Sequence, residues 1–183
     1  MRPKDREATI DDLSREPGKA ELVKGRIVRM PQTGALPGLA ATEITVSLRD
    51  YARRTRIGHA FGDNAAFVVH LPHRKSFCPD AAFWVGTPTM KFCLGAPVFA
   101  VEVRSESDYG AAAERAMAAK RSDYFAAGTV VVWDVDLLGD HVVRVHRATA
   151  PDRPTIYRRG DLAEAEPAVP GWTMRVDDLF PEA

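Results

Sequence analysis

The sequence predicts an α/β (α+β) domain with a central mixed β-sheet flanked by helices, and three observations predict it. Two apolar runs, residues 98–103 and 129–135, are short and β-branched, as strands of a buried sheet are. Two longer segments, about 39–56 and 109–127, place apolar residues at helical spacing. The order is helix, several strands, helix, then strands again, which fits helices laid on a sheet. At 183 residues the chain is read as a single domain over 1–183, large enough for a core without disulfide staples.

Each element has its own local reason. Residues 1–18 form a helical lead-in in which Thr9-Ile10-Asp11-Asp12 opens a short helix as a capping box and Pro17-Gly18 closes it. Residues 21–30 read as a hairpin or bent strand turning at Lys24-Gly25. Residues 31–38 hold two prolines and two glycines and read as a loop. The helix over 39–56 carries Ile44, Leu48, Tyr51 and Ala52 on one face. Strands follow at 59–61, 65–71 and 80–85, with Pro72-His73-Arg74-Lys75 as the polar turn between the last two. Residues 88–97 form a loop. The alanine-rich helix over 109–127 stops at Gly128. Beyond the strand at 129–135, residues 142–146 pair with 155–158. The tail, 169–183, has enough apolar residues to dock on the core.

Composition limits the function. Hydrophobic residues make up 45% and charged residues 27% of the chain, ordinary values for a globular domain. The 25 basic and 25 acidic residues cancel, so nucleic-acid binding must rest on a local patch. Cys78 and Cys93 are the only cysteines, which suits a reduced cytoplasmic protein. The first residues lack the apolar stretch of a signal peptide, and no run approaches the ~18 apolar residues of a membrane span. The expectation is a cytoplasmic protein with no membrane partner.

Three charges interrupt apolar surroundings. Asp80 lies in Phe77-Cys78-Pro79-Asp80-Ala81-Ala82-Phe83-Trp84-Val85, and Glu102 in Pro97-Val98-Phe99-Ala100-Val101-Glu102-Val103. On the second helix, Ala113, Ala116, Met117, Tyr124 and Ala127 lie within about 60° of Lys120, which puts this lysine on the inward stripe. Burying a charge is costly unless a partner or metal compensates it. Singly, each has a bland explanation: a strand-end carboxylate in water, or a lysine that snorkels. Together they describe a phosphodiester-cleaving site. Hard oxygen ligands hold Mg²⁺, the metal activates water, and an ammonium stabilises charge on the phosphate.

The runs ELVKGRIVRM, PDAAFWV, PVFAVEVRSESD and KRSDYFAAGTVVVWDVD, then VPGW before LF, resemble the Uma2 family, also called DUF820, over roughly residues 9 to 181. The family consists of restriction-endonuclease-like proteins of the PD-(D/E)XK superfamily. The resemblance implies a restriction-endonuclease-like core, Mg²⁺ (or Mn²⁺) as cofactor and DNA as substrate. It makes Asp80 and Glu102 the metal-binding acids, to which we add the backbone carbonyl of Val103 as a further metal ligand. The superfamily lysine usually lies two residues after the second acid, where this chain has Arg104. In Uma2-like proteins it has moved to the next helix, at the position of Lys120. Glu21 matches the glutamate before the first hairpin, as an accessory acid or a surface residue. Two departures stand out. The loop before the first long helix has no histidine, and the common Ser-Pro-Ser is Ser105-Glu106-Ser107, which adds a negative charge near the phosphate site.

Other features are weaker. Arg49, Arg53 and Arg56, with Arg54 adjacent, form a basic stripe that either contacts phosphates, as Arg104 would, or is a solvated face. His70, His73 and Cys78 offer a further metal set that no paired motif supports. Trp84, Trp133 and Trp172 read as core residues. The leading expectation is a Mg²⁺-dependent endonuclease acting on DNA as a homodimer, since cutting both strands suits two symmetric sites. The alternatives are a non-cleaving module that binds nucleic acid or protein, and a small metal-dependent phosphatase or RNase.

Overall fold

The computed structural model describes residues 6–181; the first five residues of the helical lead-in and the last two of the tail lie outside it. The elements run α1 (Ile10–Leu13), β1 (Ala20–Val23), β2 (Arg26–Arg29), α2 (Ala35–Thr55), β3 (His59–Phe61), β4 (Phe67–Val68), β5 (Ser76–Phe77), β6 (Ala81–Trp84), β7 (Cys93–Leu94), β8 (Phe99–Val103), α3 (Ala111–Ala126), β9 (Val131–Val135), β10 (Val143–Arg147), β11 (Ala150–Tyr157), β12 (Leu162–Glu164) and β13 (Thr173–Arg175), with a closing 3₁₀ turn, Val176–Leu179.

The centre is a six-stranded sheet in the order β11-β10-β9-β8-β6-β3. It is mixed: β8 and β9 pair in parallel and all other neighbours are antiparallel. Parallel neighbours need a long crossover, and α3 supplies it. Alternation along β8 assigns its two faces. Phe99, Val101 and Val103 join Ile44, Leu48 and Tyr51 of α2 in the larger core, with Trp133, Trp172 and Leu179. Ala100 faces the other way, into a smaller core with Phe67, Phe77, Trp84, Tyr124 and Val132. Glu102 shares that second face with α3, which is why a lysine on α3 can reach it.

The local reasons hold at most elements. Thr9 and Asp12 make the reciprocal capping box. Lys24 (φ 50°) and Gly25 (φ 68°) turn the first hairpin, both in the left-handed region that a two-residue turn of this hand demands. Gly128 (φ 107°) follows the end of α3. The tail docks through Trp172, Val176 and Leu179, all buried.

Several expectations are corrected. Helix α2 begins at Ala35, inside the stretch read as a loop, because Pro37 falls in the first turn, where backbone N–H groups have no helical partner anyway. Helix α3 begins at Ala111 instead of 109. The strand over 65–71 shrinks to the two residues of β4, which pair with β5, just past the polar turn, and with β7, in the segment read as a loop. Strands β12 and β13 form an additional small sheet. Arg74, placed in a polar turn, is buried. Cys78 and Cys93 are both free thiols.

Candidate active site

Hairpin β1–β2 brings the first carboxylate. Leu22 packs beside Leu13 and Ala20, so its neighbour Glu21 turns the opposite way, toward the sheet. The chain at 73–75 stitches this hairpin in place: Lys24 N–H donates to the His73 carbonyl and Lys75 N–H to the Leu22 carbonyl. Glu21 is buried, and its Oε1 accepts from Cys78 N–H at 2.9 Å and lies 3.0 Å from Lys120 Nζ, while Oε2 meets Arg74. Arg74 is itself held by Asp123 of α3 at 2.8 Å and lies over the Phe77 ring.

Asp80 sits one residue before β6, and its N–H donates to the Val101 carbonyl, which places it across from Glu102 on β8. Its Oδ2 accepts from Val103 N–H at 2.7 Å, and Oδ1 meets Lys19 Nζ at 2.5 Å. Glu102 accepts from Tyr124 Oη at 2.7 Å and from Lys120 Nζ at 2.9 Å. Tyr124 is fixed by stacking on Phe77, with centroids 3.9 Å apart. Lys120 thus bridges Glu21 and Glu102. Asp80, Glu102, Glu21, Val103 and Lys120 all line one cleft of about 410 Å³. An adjoining cleft of about 450 Å³ shares with it Lys19, Met30, Pro31, Gln32 and Thr33.

The electrostatics separate the two glutamates. Burial pushes the Glu102 carboxyl up, and the carboxylates of Asp80 and Glu21 add to this against the pull of Lys120. Burial also opposes Glu21 ionisation, but Lys120, Arg74 and the Cys78 N–H outweigh it and hold Glu21 below the usual glutamate range. Burial lowers Lys120, yet Glu102 and Glu21 reverse this and keep it an ammonium. Burial pushes the neighbouring Cys78 thiol up to about 12.

Some residues picked from the sequence take no part in this ion-pair cluster, although Arg104 lines the same cleft. Arg104 is buried, with both of its donors to Asp134 at 2.8 Å and a further pairing to Glu114, so its guanidinium is consumed within the protein. Its side chain shares the α3 face of the sheet with Glu102, as strand alternation required. Arg49, Arg53 and Arg56 are exposed at the C-terminal end of α2. The residues preceding that helix, Gln32 and Thr33, line the cleft, so the stripe begins about 20 Å along the helix from it. His73 pairs with Asp123, not with Cys78. Among the described residues, no group of three or more His, Cys, Asp or Glu side chains is arranged to hold a metal ion. Lys19 and Arg74 escaped sequence reasoning: one follows a Pro-Gly turn and the other lies in a charged run, and neither stands in an apolar pattern.

The sheet order, the crossover helix and the charged cleft on one sheet face make a mixed α/β domain with its candidate site on that face. The crystal structure of a "putative nuclease belonging to DUF820" from Anabaena variabilis matches it with a TM-score of 0.72 and 18% identity, covering 94% of this chain and 97% of that chain. At that identity the likeness shows the fold. The family described as "Uma2: Putative restriction endonuclease" matches residues 8–177, and the chain belongs to that family. No curated protein matches it. Among the described residues, no helix is long and apolar enough to cross a membrane.

Proposed function

We propose that this protein is a divalent-metal-dependent endonuclease that hydrolyses DNA phosphodiester bonds. The observation that carries the reading is the convergence of Asp80 and Glu102, from neighbouring strands, with the ammonium of Lys120 on one cleft. The donors fit Mg²⁺ or Mn²⁺: Mg²⁺ characteristically takes one or two carboxylates and completes its shell with water and substrate phosphate. Asp80 and Glu102 would hold the metal, with the Val103 carbonyl as a third oxygen. When bound, such an ion polarises the phosphate and lowers the pKa of a coordinated water.

The chain's own groups do the rest. Val103 N–H fixes one Asp80 oxygen, and Tyr124 fixes one of Glu102, so both carboxylates present set edges to the cleft. Lys120 stays protonated, which suits it to hydrogen-bond a phosphate oxygen as charge builds there and not to take a proton from water. Glu21 holds Lys120 from behind, making it a positioning residue. Arg49, Arg53 and Arg56 would meet the phosphate backbone away from the cut. Two copies related by a two-fold axis would present one site to each strand.

A second reading, a non-cleaving module that binds nucleic acid or protein on the same fold, draws on one observation: both carboxylates already have lysine partners. Cleavage of plasmid and single-stranded DNA in Mg²⁺ and Mn²⁺ separates the two. The wild type is expected to cut, with Asp80→Asn and Lys120→Ala folded and inactive. Cleavage surviving in both variants refutes the site, and no cleavage by the wild type favours the binding module. Running RNA and phosphomonoesters alongside tests an RNase or phosphatase.

A further inference from the structure

Lys19 lies outside every motif of the chain, yet its ammonium occupies the middle of the site. Nζ sits 2.5 Å from Asp80 Oδ1 and 2.7 Å from Asp63 Oδ1. Its side chain is only 12% exposed, whereas Asp63 stands at the rim with 44%. The other Asp80 oxygen already accepts from Val103 N–H, so Oδ1 is the oxygen that faces an incoming cation with no backbone partner, and Lys19 covers it. One carboxylate oxygen cannot hold an ammonium and a divalent cation at contact distance without bringing like charges together.

We propose that Lys19 is the resident counter-ion of Asp80, released when a divalent cation binds and retained beside the site by Asp63. This rests on the metal-dependent reading above. The backbone of Lys19 is anchored, since Met30 N–H donates to its carbonyl, while its four-carbon stem can turn without disturbing a helix or strand. With Lys19 in place the cleft pairs the carboxylates Glu21, Asp80 and Glu102 with the cations Lys19, Arg74 and Lys120. These pairings let the buried Glu21 and Asp80 and the partly buried Glu102 fold together before any metal arrives. Asp63 has no other ion pair among the described residues, and its remaining oxygen is 3.4 Å from Thr33 Oγ1. It can therefore keep the ammonium on the ridge where the two clefts join. A purely structural ion pair would stabilise the fold without tuning metal affinity; a resident counter-ion must compete.

The test is Mn²⁺ binding to the full chain, followed by the electron paramagnetic resonance of free Mn²⁺. If Lys19 covers Asp80 about nine-tenths of the time, Lys19→Met binds Mn²⁺ about tenfold more tightly than the wild type. Lys19→Arg, which keeps the competitor, gains nothing, and Asp80→Asn loses the site. All variants are measured in about 0.5 M salt, where the exposed charges around the cleft are largely screened. Equal affinity of Lys19→Met and wild type, with Asp80→Asn still defective, overturns the counter-ion role and leaves the metal site standing. No Mn²⁺ bound by wild type or Lys19→Met removes the metal-dependent reading, and this inference with it. Should Lys19→Met not fold, Asp63→Asn decides: at the same salt it is expected to bind Mn²⁺ several-fold more weakly, because the displaced ammonium has lost its acceptor. Unchanged affinity there overturns the proposal.

Discussion

Glu21 and Glu102 share one lysine, but their surroundings drive their ionisation in opposite directions, and this has consequences for stability. Glu21 is held below its ordinary range, so its contribution is present above the usual glutamate value of 4.5 and is lost as pH falls through its folded value. Glu102 is raised, so the folded state holds its proton more firmly than the unfolded chain does. Its ionisation therefore subtracts stability at neutral pH, and the loss is relieved as pH falls toward 4.5. Glu21→Gln leaves Arg74 short of a buried partner and is expected to cost roughly 3 kcal/mol at pH 7. Glu102→Gln keeps the shape of the side chain and leaves Lys120 with Glu21; its melting temperature is expected at or above wild type. Thermal melts between pH 4 and pH 8 check both. A Glu102→Gln protein as unstable as Glu21→Gln would contradict the assignment, which treats Glu102 as a charge retained for function.

At the scale of elements, the site depends on β6, β8 and α3 keeping their register, and the α2–β3 connection restrains one end of β6. Gly58 there has φ +66°, and a Cβ would stand 2.7 Å from the Trp84 carbonyl oxygen and 2.8 Å from the Phe83 ring. Gly58→Ala is expected to cost about 2 kcal/mol or more in urea denaturation, while its distance from Asp80, at the other end of β6, leaves Mn²⁺ binding intact. An Ala variant as stable as wild type would show that the turn relaxes freely. These elements also show what the sequence could and could not reveal. Lys120 was legible because helical periodicity is local, and its inward direction follows from its neighbours alone. Asp80 and Glu102 were legible because a carboxylate inside an apolar run breaks a local pattern. Lys19 and Arg74 were not, since their carboxylate partners lie 61 and 53 positions away and nothing nearby encodes the pairing. Two-residue strands such as β4, β5 and β7 are too short to show a period of two.

At the scale of the whole molecule, the question is what would draw a polyanion to a protein whose 25 basic and 25 acidic residues cancel. The site does not: its lysines and Arg74 are spent on its carboxylates, and Arg104 is spent on Asp134 and Glu114. The end of α2 differs. Arg53, Arg54 and Arg56 are exposed and make no ion pair among the described residues, and Arg49 has only Asp50 at 3.7 Å. Arg49 and Arg53 lie one turn apart on α2, and Arg56 is the residue just past its end, with φ 58°. A duplex bound there would release counterions in proportion to the arginines engaged. The triple change of Arg49, Arg53 and Arg56 to Gln is therefore expected to lower the slope of log affinity against log salt by about 2.7. Binding would be measured on a catalytically silent Asp80→Asn background, so that cleavage does not intrude. Folding should be unaffected, because exposed charges contribute little to stability. An unchanged slope would make the stripe an ordinary solvated face.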